Sequence, residues 1–180
     1  MGTIATPPPA AKTRRDELMM RLFNDMQVAR FNVIYYQTRA SRMRQYSTWS
    51  SVLATVTSSA AFVGLFSAST DLATNALKGL TAFAAIAALL GPVLHWDRKG
   101  SQFDRAALGH SIIMDRLRLL LSDLKVSDAV EPQHQSRVAE IEALRGALTA
   151  LDEPGKNRVK LKAWKQAEEE LPTSHAWDLV

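Results

Sequence analysis

Two sets of side chains in this sequence have the type and spacing to do more than pack. The first is Arg105 and His110, five positions apart in Arg-Ala-Ala-Leu-Gly-His. Histidine is the side chain whose ordinary titration lies near neutral pH. His110 also falls in step with Phe103, Ala106, Ile113, Leu117, Leu120 and Leu124, spaced by threes and fours, so it stands in an apolar seam. In such a seam a histidine is usually a satisfied core or interface group. Its charged form is costly there unless paired, which would make the position a reporter of pH. The second set is the hydroxyl row Ser51, Thr55 and Ser59, spaced by four, with Phe62 and Phe66 beyond it. In a lone helix such hydroxyls bond back to backbone carbonyls. In a ring of helices the same row lines a wet channel, and Phe62 and Phe66 serve as apolar gates.

Most other chemistries are excluded by what is missing. The 180 residues include no cysteine, so there is no disulfide scaffold, thiolate metal site, cysteine nucleophile or thiol switch. The histidines (His95, His110, His134 and His175) are far apart, and no HExxH, Walker loop, GxGxxG or GxSxG motif occurs. The expectation is no metal, no cofactor and no enzyme.

The elements that would position these residues follow from where charge is absent. Asp, Glu, Lys and Arg are missing from the 26 residues Gln45 to Thr70 and from the 18 residues Gly79 to Trp96. About 20 residues of helix span a hydrocarbon core, so the tandem runs predict a transmembrane hairpin with spans at 46–70 and 79–96 and an external loop at 71–78. Arg30, Arg39, Arg42 and Arg44 precede it and Arg98, Lys99 and Arg105 follow it. The positive-inside rule then puts both termini in the cytoplasm of an inner membrane, with Arg39, Arg42, Arg44, Arg98 and Lys99 at lipid headgroups. Trp49 and Trp96 suit the interface. Small residues in fours (Ser50, Ala54 and Ser58; Ala60, Gly64 and Ala68; Ala84 and Ala88) let helices approach closely in lipid.

Outside the spans the pattern predicts an all-α chain. Residues 1–12, with Pro7-Pro8-Pro9, read as a disordered tail. Over 13–45, Met19, Phe23, Met26, Ala29, Val33, Tyr36, Ala40 and Met43 share one face of an amphipathic helix. The seam helix occupies 97–125, and its coiled-coil spacing predicts contact with another copy. A break at Ser127 to Pro132 leads to a helical tail over 133–171. That tail carries Val138, Ile141, Leu144, Leu148 and Leu151, then punctuation at Glu153-Pro154-Gly155, then Val159, Trp164, Ala167 and Leu171. Residues 172–180 read as loose. Residues 1–45 hold eight bases and three acids, whereas 98–180 hold thirteen of each. The basic excess is therefore juxtamembrane, which favours lipid partners and speaks against nucleic acid.

Two family resemblances follow. Arg105 to His110 resembles the R-x4-H motif of HEPN ribonucleases, in which the pair acts on RNA at a dimer interface. Ala106 stands where that family usually has a polar residue. The order of elements resembles the bacterial SLATT proteins, the SMODS- and SLOG-associating two-transmembrane effectors. The likeness is carried by Ala29-Arg30-Phe31 through Phe66 and by Trp96 through Leu124, with a looser likeness around Asp152-Glu153-Pro154. It implies a homo-oligomer that permeabilises the membrane in antiphage defence when a separate sensor protein triggers it. The alternatives are a membrane-anchored adaptor that recruits a cytoplasmic partner, and a membrane-tethered HEPN-like RNase.

Overall fold

The computed structural model describes residues 9–66, 79, 86, 95–127, 129–149 and 157–172, apart from the side chains of 9–13, 56–66 and 149. Among the described residues the protein is all-α, with four helices and no strand: α1 Pro9–Phe66, α2 Trp96–Val126, α3 Pro132–Thr149 and α4 Asn157–Glu170. None of these helices, over the described residues, is long and apolar enough to cross a membrane. The expected loop at 71–78 and nearly all of the second expected span lie outside the described residues.

Local chemistry explains the boundaries. Pro9 and Pro132 open α1 and α3, where the missing N–H is no loss. α2 has Asp97 in its first turn and Lys125 in its last, the arrangement the helix dipole favours. Before it, His95 adopts φ 47°, and its carbonyl accepts from the Lys99 N–H at 3.0 Å. α4 stops just before Leu171-Pro172. The sequence reading needs correcting at the amino end. α1 begins at Pro9, inside the expected 1–12 tail, and it continues past residue 45 into the charge-free run, as a helix running into the first span would. The reason is that no Gly or Pro stands between Ala10 and Val63.

The chain divides into two compact units. The first comprises residues up to Gln37 and from Asp104 onward, and the second Thr38–Phe103. In the first unit, Met19, Leu22, Phe23, Met26 and Ala29 of α1 form one core with Ile113, Leu117, Leu120, Leu121 and Leu124 of α2 and Ile141 of α3. α4 adds buried Ala163 and Ala167. The apolar stripe predicted on α1 is therefore a core face. It is also wider than predicted, since Ile34 and Tyr35 are buried too. At about 1.5–3 kcal/mol for each large side chain taken from water, this core dominates the stability of the first unit.

The seam needs a second correction. Ala106, His110, Ile113, Leu117, Leu120 and Leu124 are all buried, and so is Phe103 in the second unit. The covering surface is α1 of the same chain for Ile113, Leu117, Leu120 and Leu124. A stripe spaced by threes and fours specifies a helical partner and does not say whether that partner lies in the same chain.

In the second unit, α1 and the start of α2 meet through small and flat groups. Arg39 lies 4.2 Å over the Phe103 ring, and Tyr46 and Trp96 approach at 5.9 Å between centroids. The Cβ position of Gly100 is 3.5 Å from Met43 Cβ.

Candidate functional site

His110 is 8% exposed, and its ring stacks on Tyr36 at 5.6 Å with the planes 7° apart. Tyr36 meets Tyr35 edge-on at 5.2 Å, Tyr35 stacks on Phe31 at 5.9 Å, and Phe31 meets Trp164 edge-on at 5.5 Å. Five rings thus run from α2 across α1 to α4. Phe31 and Tyr35 are four apart and share a helix face, while Tyr36 is turned toward α2. Lys160 places its Nζ 5.9 Å from the Tyr35 ring centre. Each such ring pair adds about 0.5–1.5 kcal/mol beyond area burial.

Arg105 does not join this cluster. It is exposed, while His110 is buried. Five positions along a helix turn the side-chain direction by about 140°, so the two residues cannot share a face. Within one chain the R-x4-H spacing therefore does not assemble a paired site. Nor do the described residues contain any group of three or more His, Cys, Asp or Glu placed to hold a metal ion. His134 is committed elsewhere: it is 2% exposed, and its Nδ1 accepts from the Glu131 N–H at 3.0 Å, capping α3.

The hydroxyl row lies in the second unit. Ser51 and Thr55 are exposed. The Thr55 hydroxyl donates to the Ser51 carbonyl at 2.9 Å, and Thr48 does the same to Arg44 at 3.0 Å. This is the back-bonding expected of hydroxyls in a helix. Ala54 is half-buried. The side chains of Ser58, Ser59, Ala60, Phe62, Gly64 and Phe66 lie outside the described residues, as do Ala68, Ala84 and Ala88 entirely. Of the basic residues expected at headgroups, Arg42, Arg44, Arg98 and Lys99 are exposed, and Arg39 is half-buried against Phe103. The same stretch of α1 exposes large apolar side chains: Tyr46 at 51%, Trp49 at 65%, Val52 at 45% and Leu53 at 38%.

Sequence reasoning missed the polar ties that fasten the first unit. Gln27, itself buried, donates from Nε2 to the Leu171 carbonyl at 2.6 Å. Arg30 pairs with Glu170 at 2.5 Å, Arg21 with Glu142 at 2.6 Å, and Arg145 with Asp25 at 3.0 Å. Arg137 pairs with Asp123. The Glu170 carboxyl is held below its ordinary 4.5, first by a hydrogen bond from Gln166 and then by Arg30, with burial acting in the opposite direction. Glu142 and Glu170 were visible in the sequence, but their partners Arg21 and Arg30 lie more than a hundred residues away, and periodicity carries no such pairing. A groove of about 370 Å³ runs beside the core, lined by Met19, Phe23, Met26, Leu121 and Leu171 together with Arg118 and Lys125. Ser122 completes the lining, which is mainly apolar.

No protein-family model, curated protein or solved structure matches this chain.

Proposed function

We propose that the chain is an oligomeric two-span membrane effector that permeabilises the membrane, with antiphage defence as its setting. The observation that carries this is the exposed apolar set Tyr46, Trp49, Val52 and Leu53. It stands at the head of the charge-free run Gln45 to Thr70, most of whose side chains lie outside the described residues. Isolated exposed apolar residues are ordinary, but contiguous ones leading into an uncharged run mark a surface for lipid or for another helix. The Arg residues beside that run suit the cytoplasmic interface of an inner membrane, and a separate protein would supply the trigger. One hairpin cannot enclose a channel, so permeabilisation needs several copies. Ser51, Thr55 and Ser59 then face the lumen, and the small residues around Gly64 face neighbouring helices.

The test has two stages. Alkaline carbonate extraction of membranes from expressing cells should leave the chain in the pellet; release into the supernatant sinks the hairpin. Native mass spectrometry of the detergent-extracted protein should then show four or more copies, and Gly64→Leu should reduce that number. A monomer or dimer that conducts no ions in liposomes leaves the second reading, a membrane-anchored adaptor. That reading is favoured by the seam, whose apolar residues are already covered within one chain.

A further inference from the structure

Helix α4 carries its charges in an order that does not serve its own stability. Arg158, Lys160, Lys162 and Lys165 occupy its first two-thirds with no acid among them, and Glu168, Glu169 and Glu170 close it. The helix dipole favours the reverse, with acids first and bases last. The acidic end has a purpose inside the molecule. Glu170 binds Arg30, and Glu168 accepts from the Trp164 indole N–H at 2.6 Å. Of the basic end, Lys160 lies over the Tyr35 ring, whereas Arg158, Lys162 and Lys165 are exposed and make no ion pair among the described residues.

The apolar side chains on the same helix are placed just as unusually. Ala163 and Ala167 face the bundle, four apart. The large residues face outward, with Leu161 61% exposed and Trp164 36% exposed. Arg158, Leu161 and Lys165 are spaced by three and four and form one row, and Trp164 lies beside it. Arg158, Lys160, Leu161 and Trp164, with Phe31 and Asn157, border a surface groove of about 510 Å³. The Trp164 ring is held in place by Phe31 on one side and by Glu168 through its N–H.

From this arrangement we infer that the outer face of α4 is a docking surface for an anionic lipid bilayer. Arg158, Lys162 and Lys165 meet the headgroups, and Leu161 and Trp164 enter the acyl boundary. A helix lying in the interface needs both halves, apolar side chains to bury and cations beside them. Nucleic acid would use the cations and could stack on Trp164, but it would leave Leu161 in water. The inference shares the membrane with the function proposed above but does not require the spans.

The absence of cysteine gives a clean test. Leu161→Cys, at an exposed position, accepts one environment-sensitive dye in the full chain. The labelled protein is combined with vesicles of phosphatidylcholine alone and of phosphatidylcholine with phosphatidylglycerol, and iodide quenching is measured. The expected result is a blue shift and protection from iodide only with phosphatidylglycerol. High salt should reverse both, and so should Arg158→Glu with Lys165→Glu at unchanged helix content, lowering protection about tenfold or more. Equal quenching in both vesicles overturns the inference. Protection by a single-stranded oligonucleotide without protection by anionic vesicles also overturns it and makes the face a nucleic-acid surface. A carbonate wash separates this from the hairpin: a chain that washes off, yet is protected at residue 161 beforehand, breaks the spans and keeps the α4 surface. A chain that resists washing but is quenched equally in both vesicles does the opposite.

Discussion

Leu22 and Leu53 are the same residue on the same helix, yet one is 2% exposed and the other 38%. Around Leu22, α1 is covered by α2 and α3, and the apolar side chains interlock. Around Leu53, α1 keeps Tyr46, Trp49 and Val52 in the open. The difference is one of neighbours rather than of helix quality. In the first unit, bulky Leu and Ile of α2 face the Met and Phe of α1. In the second, among the described residues, an arginine lies over a ring, two aromatic rings meet, and a glycine sits against Met43. Among the described residues, the large apolar groups of this stretch of α1 stay more exposed than those of the first unit, as befits the surface for lipid or another helix proposed above.

The comparison can be broken most directly at its two leucines or their equivalents. Leu120→Ala, in the core of the first unit, should cost about 3 kcal/mol, read from thermal melts of the detergent-solubilised chain followed by circular dichroism. Leu53→Ala should stay within about 0.5 kcal/mol in the same assay. A large loss at Leu53 would mean that the second unit is already packed against a neighbour in detergent.

Gln27→Ala should cost about 1–2 kcal/mol, because it strands the Leu171 carbonyl and opens a buried site. Chemical denaturation would reveal it, and a loss restricted to α4 would appear as faster hydrogen exchange over 157–170. The glycines give a finer contrast of opposite sign. At Gly109 an added Cβ would come within 2.6 Å of Leu148 Cδ2, so Gly109→Ala should destabilise by about 1 kcal/mol despite the better helix former. Leu148→Ala should remove that penalty in a double-mutant cycle. At Gly100 the nearest atom is Met43 Cβ at 3.5 Å, so Gly100→Ala should gain up to about 1 kcal/mol.

The smallest effect concerns acid. The Glu170 carboxyl titrates below its unfolded value near 4.5, so it contributes stability above that pH and loses it as the pH falls through the lower folded value. Glu170→Gln should therefore flatten the acid limb of the stability curve below pH 4.5 without changing its neutral plateau by much.

Much of this architecture was legible in the residues. The expected seam helix at 97–125 is Trp96–Val126, and the expected break at Ser127 to Pro132 falls between α2 and α3. Both rest on strong local signals, a sustained stripe and a proline. The N-terminal stripe was legible for the same reason. The partner of the seam was not, since spacing by threes and fours is satisfied equally by α1 and by a second copy. His110 was read as a satisfied seam residue, and its stacking on Tyr36 gives that reading a physical form. Nothing in either local sequence names the other ring. The outward face of α4 was missed because its stripe was read as inward at Trp164, whereas Ala163 and Ala167 are the residues that turn to the bundle.

α4 has one more consequence. It is 14 residues long, too short to hold its shape alone in water. It is fastened by Gln27, Arg30 and Phe31, which leave the ribosome more than a hundred residues before it does. Until synthesis reaches Asn157 and beyond, the Phe31 and Tyr35 rings lack the helix that covers them. A chain that stops before Asn157 keeps that aromatic patch bare.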